Sequence, residues 1–164
     1  FGIRLLGRCM IMARPKKILV AFDGSPHSKR ALDWAIELSQ LARGTISVVY
    51  VSEPMIFTSM YGGEGGSEIG KTKIVQEMLS EIADKEKKMI EEAKVYCENR
   101  AVNVKVELLH GNIAQTIINY AKEQQMELII AGTKGHGALE ELLMGSVTRN
   151  LVSLAHIPVL VVKE

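Results

Sequence analysis

The chain has 164 residues, 47% of them apolar and 24% charged, which fits one soluble domain large enough to bury a core without staples. A formal net charge of +1 and a thin scatter of aromatic residues argue against a nucleic-acid binder, which needs a basic face or a stacking platform. Only Cys9 and Cys97 are present, with no CxxC, which excludes a disulfide scaffold and a cysteine zinc site and suits a reducing cytoplasm.

Residues 1–15 read as an extension outside the fold, either of vector origin or disordered, with Met10 or Met12 as the expected natural start. The stretch is too short to span a bilayer, Arg4 and Arg8 interrupt it, and it lacks the small-residue cleavage site of a secretory signal. Ile18 to Phe22 is a continuous apolar run ending in Asp23-Gly24, the pattern of a strand buried on both faces. Ser25-Pro26 is a cap followed by proline at the first helical position, and the helix is expected to run to about Arg43 and stop at Gly44. Thr45 to Val51 reads as the second strand.

Residues 52–72 carry Pro54 and five glycines, and we expect a mobile loop over 54–72. A charged helix should follow from about Lys73 to Asn99, then a third strand at Val104–Leu109 and a helix led by Gly111-Asn112 to about Glu123. Glu127–Ala131 and Ile157–Val162 read as the fourth and fifth strands, with a last helix from Val147 to Ala155 between them. Alternating strands and helices imply a five-stranded parallel sheet with helices on both faces. Right-handed crossovers give the order 3-2-1-4-5, with a topological switch point between strands 1 and 4. Ligands in such sheets bind beyond the carboxyl ends of the strands at that crevice, where Ala21-Phe22-Asp23 and Ala131 to Gly135 meet.

The motif at that crevice is Gly132-x2-Gly135-x9-Gly145-Ser146. Gly132 and Gly135 offer side-chain-free backbone to an anion, and Gly145-Ser146 opens a helix whose unpaired N–H groups and positive dipole end favour a phosphate. The hydroxyls of Ser146 and Thr148 are expected to add donors. A second phosphate-type spacing, Gly65 to Thr72, matches GxxxxGK[ST] and would use Lys71. It lacks a well-defined buried strand ahead of it, and the strand ending in Gly132 carries no carboxylate for magnesium. Asp23 does end the first strand, so a true P-loop hydrolase stays open as the alternative.

The Gly132–Thr148 segment closely resembles the nucleotide-binding signature of the universal stress protein family, in the subgroup that binds ATP. Nearly the whole chain resembles that family, from Lys17-Ile-Leu-Val-Ala-Phe-Asp23 to Ile157-Pro-Val-Leu-Val-Val162. The resemblance implies an adenine nucleotide alpha hydrolase-like (Rossmann-like) fold and a nucleotide-dependent stress-response module with at most slow ATP hydrolysis. It places adenosine at the switch point, with ATP, accompanied by Mg or Mn, running over the glycine loop. Ala21, Phe22 and Val51 would frame the adenine, and Asp23 would hold the ribose or the metal. Ala131, Gly132, Lys134, Gly135, Gly145, Ser146, Val147 and Thr148 would line the rest of the nucleotide site. Val51 equally suits plain core, Asp23 a cap for the helix at Ser25, and Lys134 a solvated position. Some relatives bind cyclic AMP instead, and members pair through the last strand, so a homodimer built on residues 157–162 is expected, with no nucleic-acid or membrane partner and no nucleophile–base pair.

Overall fold

The computed structural model describes residues 14–53, 73–98, 100, 104–135 and 144–163. The expected extension up to residue 13, the 54–72 loop with its P-loop-like Gly65–Thr72, and His136 within the glycine motif lie outside the described residues. Among the described residues five strands alternate with four helices: β1 (Lys17–Ala21), α1 (Pro26–Ala42), β2 (Thr45–Ser52), α2 (Lys73–Glu98), β3 (Val104–His110), α3 (Ile113–Glu123), β4 (Leu128–Gly132), α4 (Ser146–Leu154) and β5 (Val159–Val162). All pairings are parallel and the order is β3-β2-β1-β4-β5, as the crossover argument requires.

Strand alternation divides the apolar side chains between two cores. Ile18, Val20, Ile46, Val48 and Ile130 point to one face, where α1 and α2 cover them with Leu32, Ile36, Ala93 and Cys97. Leu19, Val49, Val51, Ile129 and Ala131 point to the other, beneath Ile117 and Ile118 of α3 and Leu151 of α4. The central strand β1 is fully buried across Ile18–Val20, which is why its sequence is an unbroken apolar run rather than an alternating one.

Element bounds differ from the expected ones by one or two residues, and two differences have physical causes. Helix α1 ends at Ala42, and its cap residue Arg43 takes the left-handed conformation itself (φ 51°, ψ 46°), instead of leaving that conformation to Gly44. Gly44 is required for packing: a Cβ there would come 2.5 Å from the Lys16 carbonyl oxygen, which receives the Thr45 N–H that starts β2. Strand β5 begins at Val159 rather than Ile157. Its inner row is fixed by Ile129 N–H donating to Pro158 O (3.0 Å) and Thr133 N–H donating to Val162 O (2.9 Å). Pro158 therefore lacks a donor on the side facing β4, and alternation turns the backbone groups of Val159 and Val161 outward.

Candidate functional site

At the carboxyl ends of β1, β2 and β4 lies a cavity of about 470 Å³, within the range of small-ligand sites. Its two ends differ in chemistry. Ala21, Val49, Val51, Ile113, Ile117 and Val147 make one end apolar. The other is lined by Gly132, Lys134 and Gly135 of the loop after β4 and by Gly145, Ser146, Thr148 and Arg149 at the start of α4. All twelve residues expected from the sequence border this one cavity, including Phe22, Asp23 and Ala131. The Phe22 ring itself belongs to the core under α1 and α2, and its N–H donates to Val49 O at 3.0 Å.

The polar end is assembled by main-chain contacts between the loop and the helix. Gly145 N–H donates to Thr133 O at 2.8 Å, and the buried Thr148 hydroxyl donates to Gly132 O at 2.7 Å. That second bond changes the role of Thr148. Its single proton is committed to Gly132, so the hydroxyl expected to donate to a phosphate fastens α4 to β4 instead. Helix α1 is capped by Ser25 Oγ, which accepts from Ser28 N–H, and α3 by Asn112 Oδ1, which accepts from Gln115 N–H. Helix α4 has Gly145 at its cap position and no side-chain cap, so the N–H groups of its first turn have no intrahelical acceptor and open toward the cavity.

Asp23 also lines the cavity. Its Oδ1 accepts from Ser25 N–H at 3.0 Å, an Asx-type turn over Gly24 (φ 79°) that brings the chain into α1. A Cβ on Gly135 would collide with Oδ2 of the same carboxylate, so the glycine loop closes directly against Asp23. Tyr50, on the opposite face of β2, has its phenol pushed above the usual value by burial first, then by the carboxylates of Glu86 and Asp23. Among the described residues no group of three His, Cys, Asp or Glu side chains converges to hold a metal. A divalent ion here would need ligand oxygens beyond the Asp23 carboxylate.

Sequence reasoning missed five lining residues: Ser28, Val49, Ile113, Ile117 and Arg149. Val49 shares a face with Val51 by the strand period, and Ile113 and Ile117 share one by the helical period, so the signal was present. Two of the histidines have side-chain partners. His27 Nδ1 lies 3.2 Å from Thr133 Oγ1, and His110 Nε2 lies 3.3 Å from Glu86. No helix among the described residues is long and apolar enough to cross a membrane.

Comparison with known proteins gives concordant results. Residues 15–163 match the model described as the Universal stress protein family. The universal stress protein YxiE of Bacillus subtilis is 31% identical over 147 residues, covering 90% of this chain and 98% of its own. The solved structure of the universal stress protein UspA from Lactobacillus plantarum superimposes with a TM-score of 0.71 at 26% identity, covering 92% of this chain and 99% of its own. A universal stress protein from Archaeoglobus fulgidus in complex with dAMP shares the fold at 20% identity and a TM-score of 0.62, covering 93% of this chain and 100% of its own. Further structures of this fold hold cAMP, at 17% identity, and AMP, at 19% identity.

Proposed function

Because the chain belongs to the universal stress protein family, we propose that its cavity is an adenine-nucleotide site that holds ATP and makes the protein a nucleotide-dependent regulatory module. The observation that carries this reading is the pairing of an apolar slot with the uncapped first turn of α4 across one cavity. A purine would occupy the apolar part of the cavity, lined by Val49, Val51, Ile113 and Ile117. A phosphate chain meets the N–H groups of Ser146 to Thr148, where the helix dipole favours negative charge. Gly145 supports the same reading by elimination. Its φ of −67° suits any residue, and among the described residues a Cβ there would come no closer than 3.5 Å to another atom, so neither strain nor their packing demands a glycine.

The adenine nucleotides held by structures of this fold support the class of ligand. The triphosphate rests on the polar lining, which includes Lys134, the glycines of the loop after β4 and the start of α4. With ATP bound, Asp23 would supply the one protein carboxylate to an accompanying Mg or Mn ion, the phosphates completing the shell, and the ion would neutralise phosphate charge. The remaining residues bind and orient. Among the described residues that line the cavity none is a nucleophile paired with a base, and we read hydrolysis as at most slow. We place the module in the cytoplasm, and we read it as a homodimer through the outer edge of β5.

Mass spectrometry of nucleotide released by denaturing freshly purified protein tests the reading directly. ATP in stoichiometric amount is the expected result, and cyclic AMP alone would reassign the ligand within the same site. Rapid ATP turnover abolished by Lys71→Ala would overturn the proposal in favour of the P-loop alternative at Gly65–Thr72.

A further inference from the structure

Arg149 lines the polar end of the cavity and belongs to no part of the site that the glycine spacing defines. It is the fourth residue of α4, in the first turn, where the helix dipole favours acidic side chains; α4 has none there. An arginine at this place is locally unfavourable. Helical side chains lean toward the amino terminus, which draws the guanidinium back past the cap. There Nη2 donates to Met144 O at 3.4 Å, a long contact, and the residue is exposed. None of the ion pairs among the described residues includes it. The cation therefore sits beside uncapped N–H groups, at the mouth of a cavity whose other polar wall carries Lys134.

Building on the nucleotide reading above, we propose that Arg149 is a specificity-determining residue. Its guanidinium binds the terminal phosphates of a nucleoside polyphosphate and makes the cavity select ATP over AMP and cyclic AMP. The N–H groups of α4 and the glycine loop suffice for a single phosphate, which brings little charge. A triphosphate brings more negative charge than those partial charges offset, and it extends toward the side chain one turn along α4. Arginine's planar fork matches two phosphate oxygens at once, which a lysine's point charge does not. The same anion removes the conflict between the guanidinium and the helix dipole, which accounts for an arginine where an acidic residue would favour the helix.

The test is calorimetric titration of the full chain with ATP, AMP and cyclic AMP, for the wild type, Arg149→Gln and Arg149→Glu, alongside thermal unfolding without ligand. Arg149→Gln is expected to weaken ATP by about tenfold or more, the scale of a charge-assisted hydrogen bond, and AMP by less than about twofold. Arg149→Glu should weaken ATP further while raising the thermal midpoint, because a carboxylate suits the helix start. Equal weakening of ATP and AMP, or no weakening of either, would overturn the role of Arg149 and leave the nucleotide site standing. A wild-type protein that binds none of the three would overturn both.

Discussion

Gly132 and His27 are in such close approach that a Cβ on the glycine would lie 2.6 Å from the histidine Cβ and 2.7 Å from its carbonyl carbon. The end of β4 is thereby fitted against the first turn of α1, and the missing side chain serves that packing rather than the ligand. Gly145, where a Cβ would find its nearest neighbour among the described residues at 3.5 Å, is the opposite case. The two glycines of one motif should therefore fail differently. Gly132→Ala should destabilise the fold by roughly 1–3 kcal/mol, the usual cost of overpacking. Gly145→Val should keep most of its stability and lose nucleotide affinity. Chemical denaturation and calorimetry on both variants check this; an unchanged ATP affinity in Gly145→Val would sink the proposed phosphate position.

Thr148 gives a second separation of stability from binding. Its hydroxyl donates to Gly132 O at 2.7 Å from a side chain only 5% exposed, so Thr148→Val leaves a buried carbonyl without that donor. The expected loss is about 1–3 kcal/mol, with Thr148→Ser recovering most of it. Denaturant midpoints for the two variants provide the measurement. If valine is tolerated at no cost, α4 is not fastened to β4 in the way the geometry indicates.

The buried thiol of Cys97 makes stability depend on alkaline pH. Burial against the α1 side of the sheet pushes the thiol up to about 11 from an ordinary 9.0, with the Arg100 guanidinium pulling the other way. A raised value means that the folded state favours the neutral thiol. Its contribution is fully present below pH 9, where the thiol of the unfolded chain is also protonated. It is lost as the pH climbs from there through about 11, because only the unfolded chain then gains from ionisation. Cys97→Ala should flatten the decline of unfolding free energy across that window relative to the wild type. Parallel declines in the two proteins would show that the thiol contributes nothing to it.

The fold and the place of the candidate cavity were legible because they depend on periodicity and punctuation. Ile18 to Phe22 announced a buried central strand, and the order of strands followed from crossover handedness. The glycine spacing located the cavity because backbone approach needs glycine at fixed offsets. What stayed hidden depends on directions that a sequence does not print. The Cβ direction of Gly132 points at His27 rather than at the crevice, and the proton of Thr148 goes to a carbonyl sixteen residues away. Arg149 was missed because a charged residue on a short helix reads as solvated surface until the helix start is seen to border a cavity.

The last prediction concerns the outer edge of β5. The inner backbone row of this strand is occupied by β4, through Pro158 O and Val162 O, which leaves the N–H and C=O groups of Val159 and Val161 facing away from the sheet. The side chains of Val159 to Val161 are only partly buried, so the edge is apolar as well as unpaired by β4. Such an edge is a template for another strand. Two copies meeting antiparallel across a two-fold axis would satisfy both rows. Pro158 does not obstruct this, because the donor it lacks belongs to the inner row. Proline placed at Val159 and Val161 would remove only outward donors and leave the ladder to β4 intact, which makes the double substitution a clean probe. The wild type is expected to sediment as a dimer at micromolar concentration, and Val159→Pro with Val161→Pro as a folded monomer. A monomeric wild type, or a dimer that survives both prolines, would remove β5 from the interface.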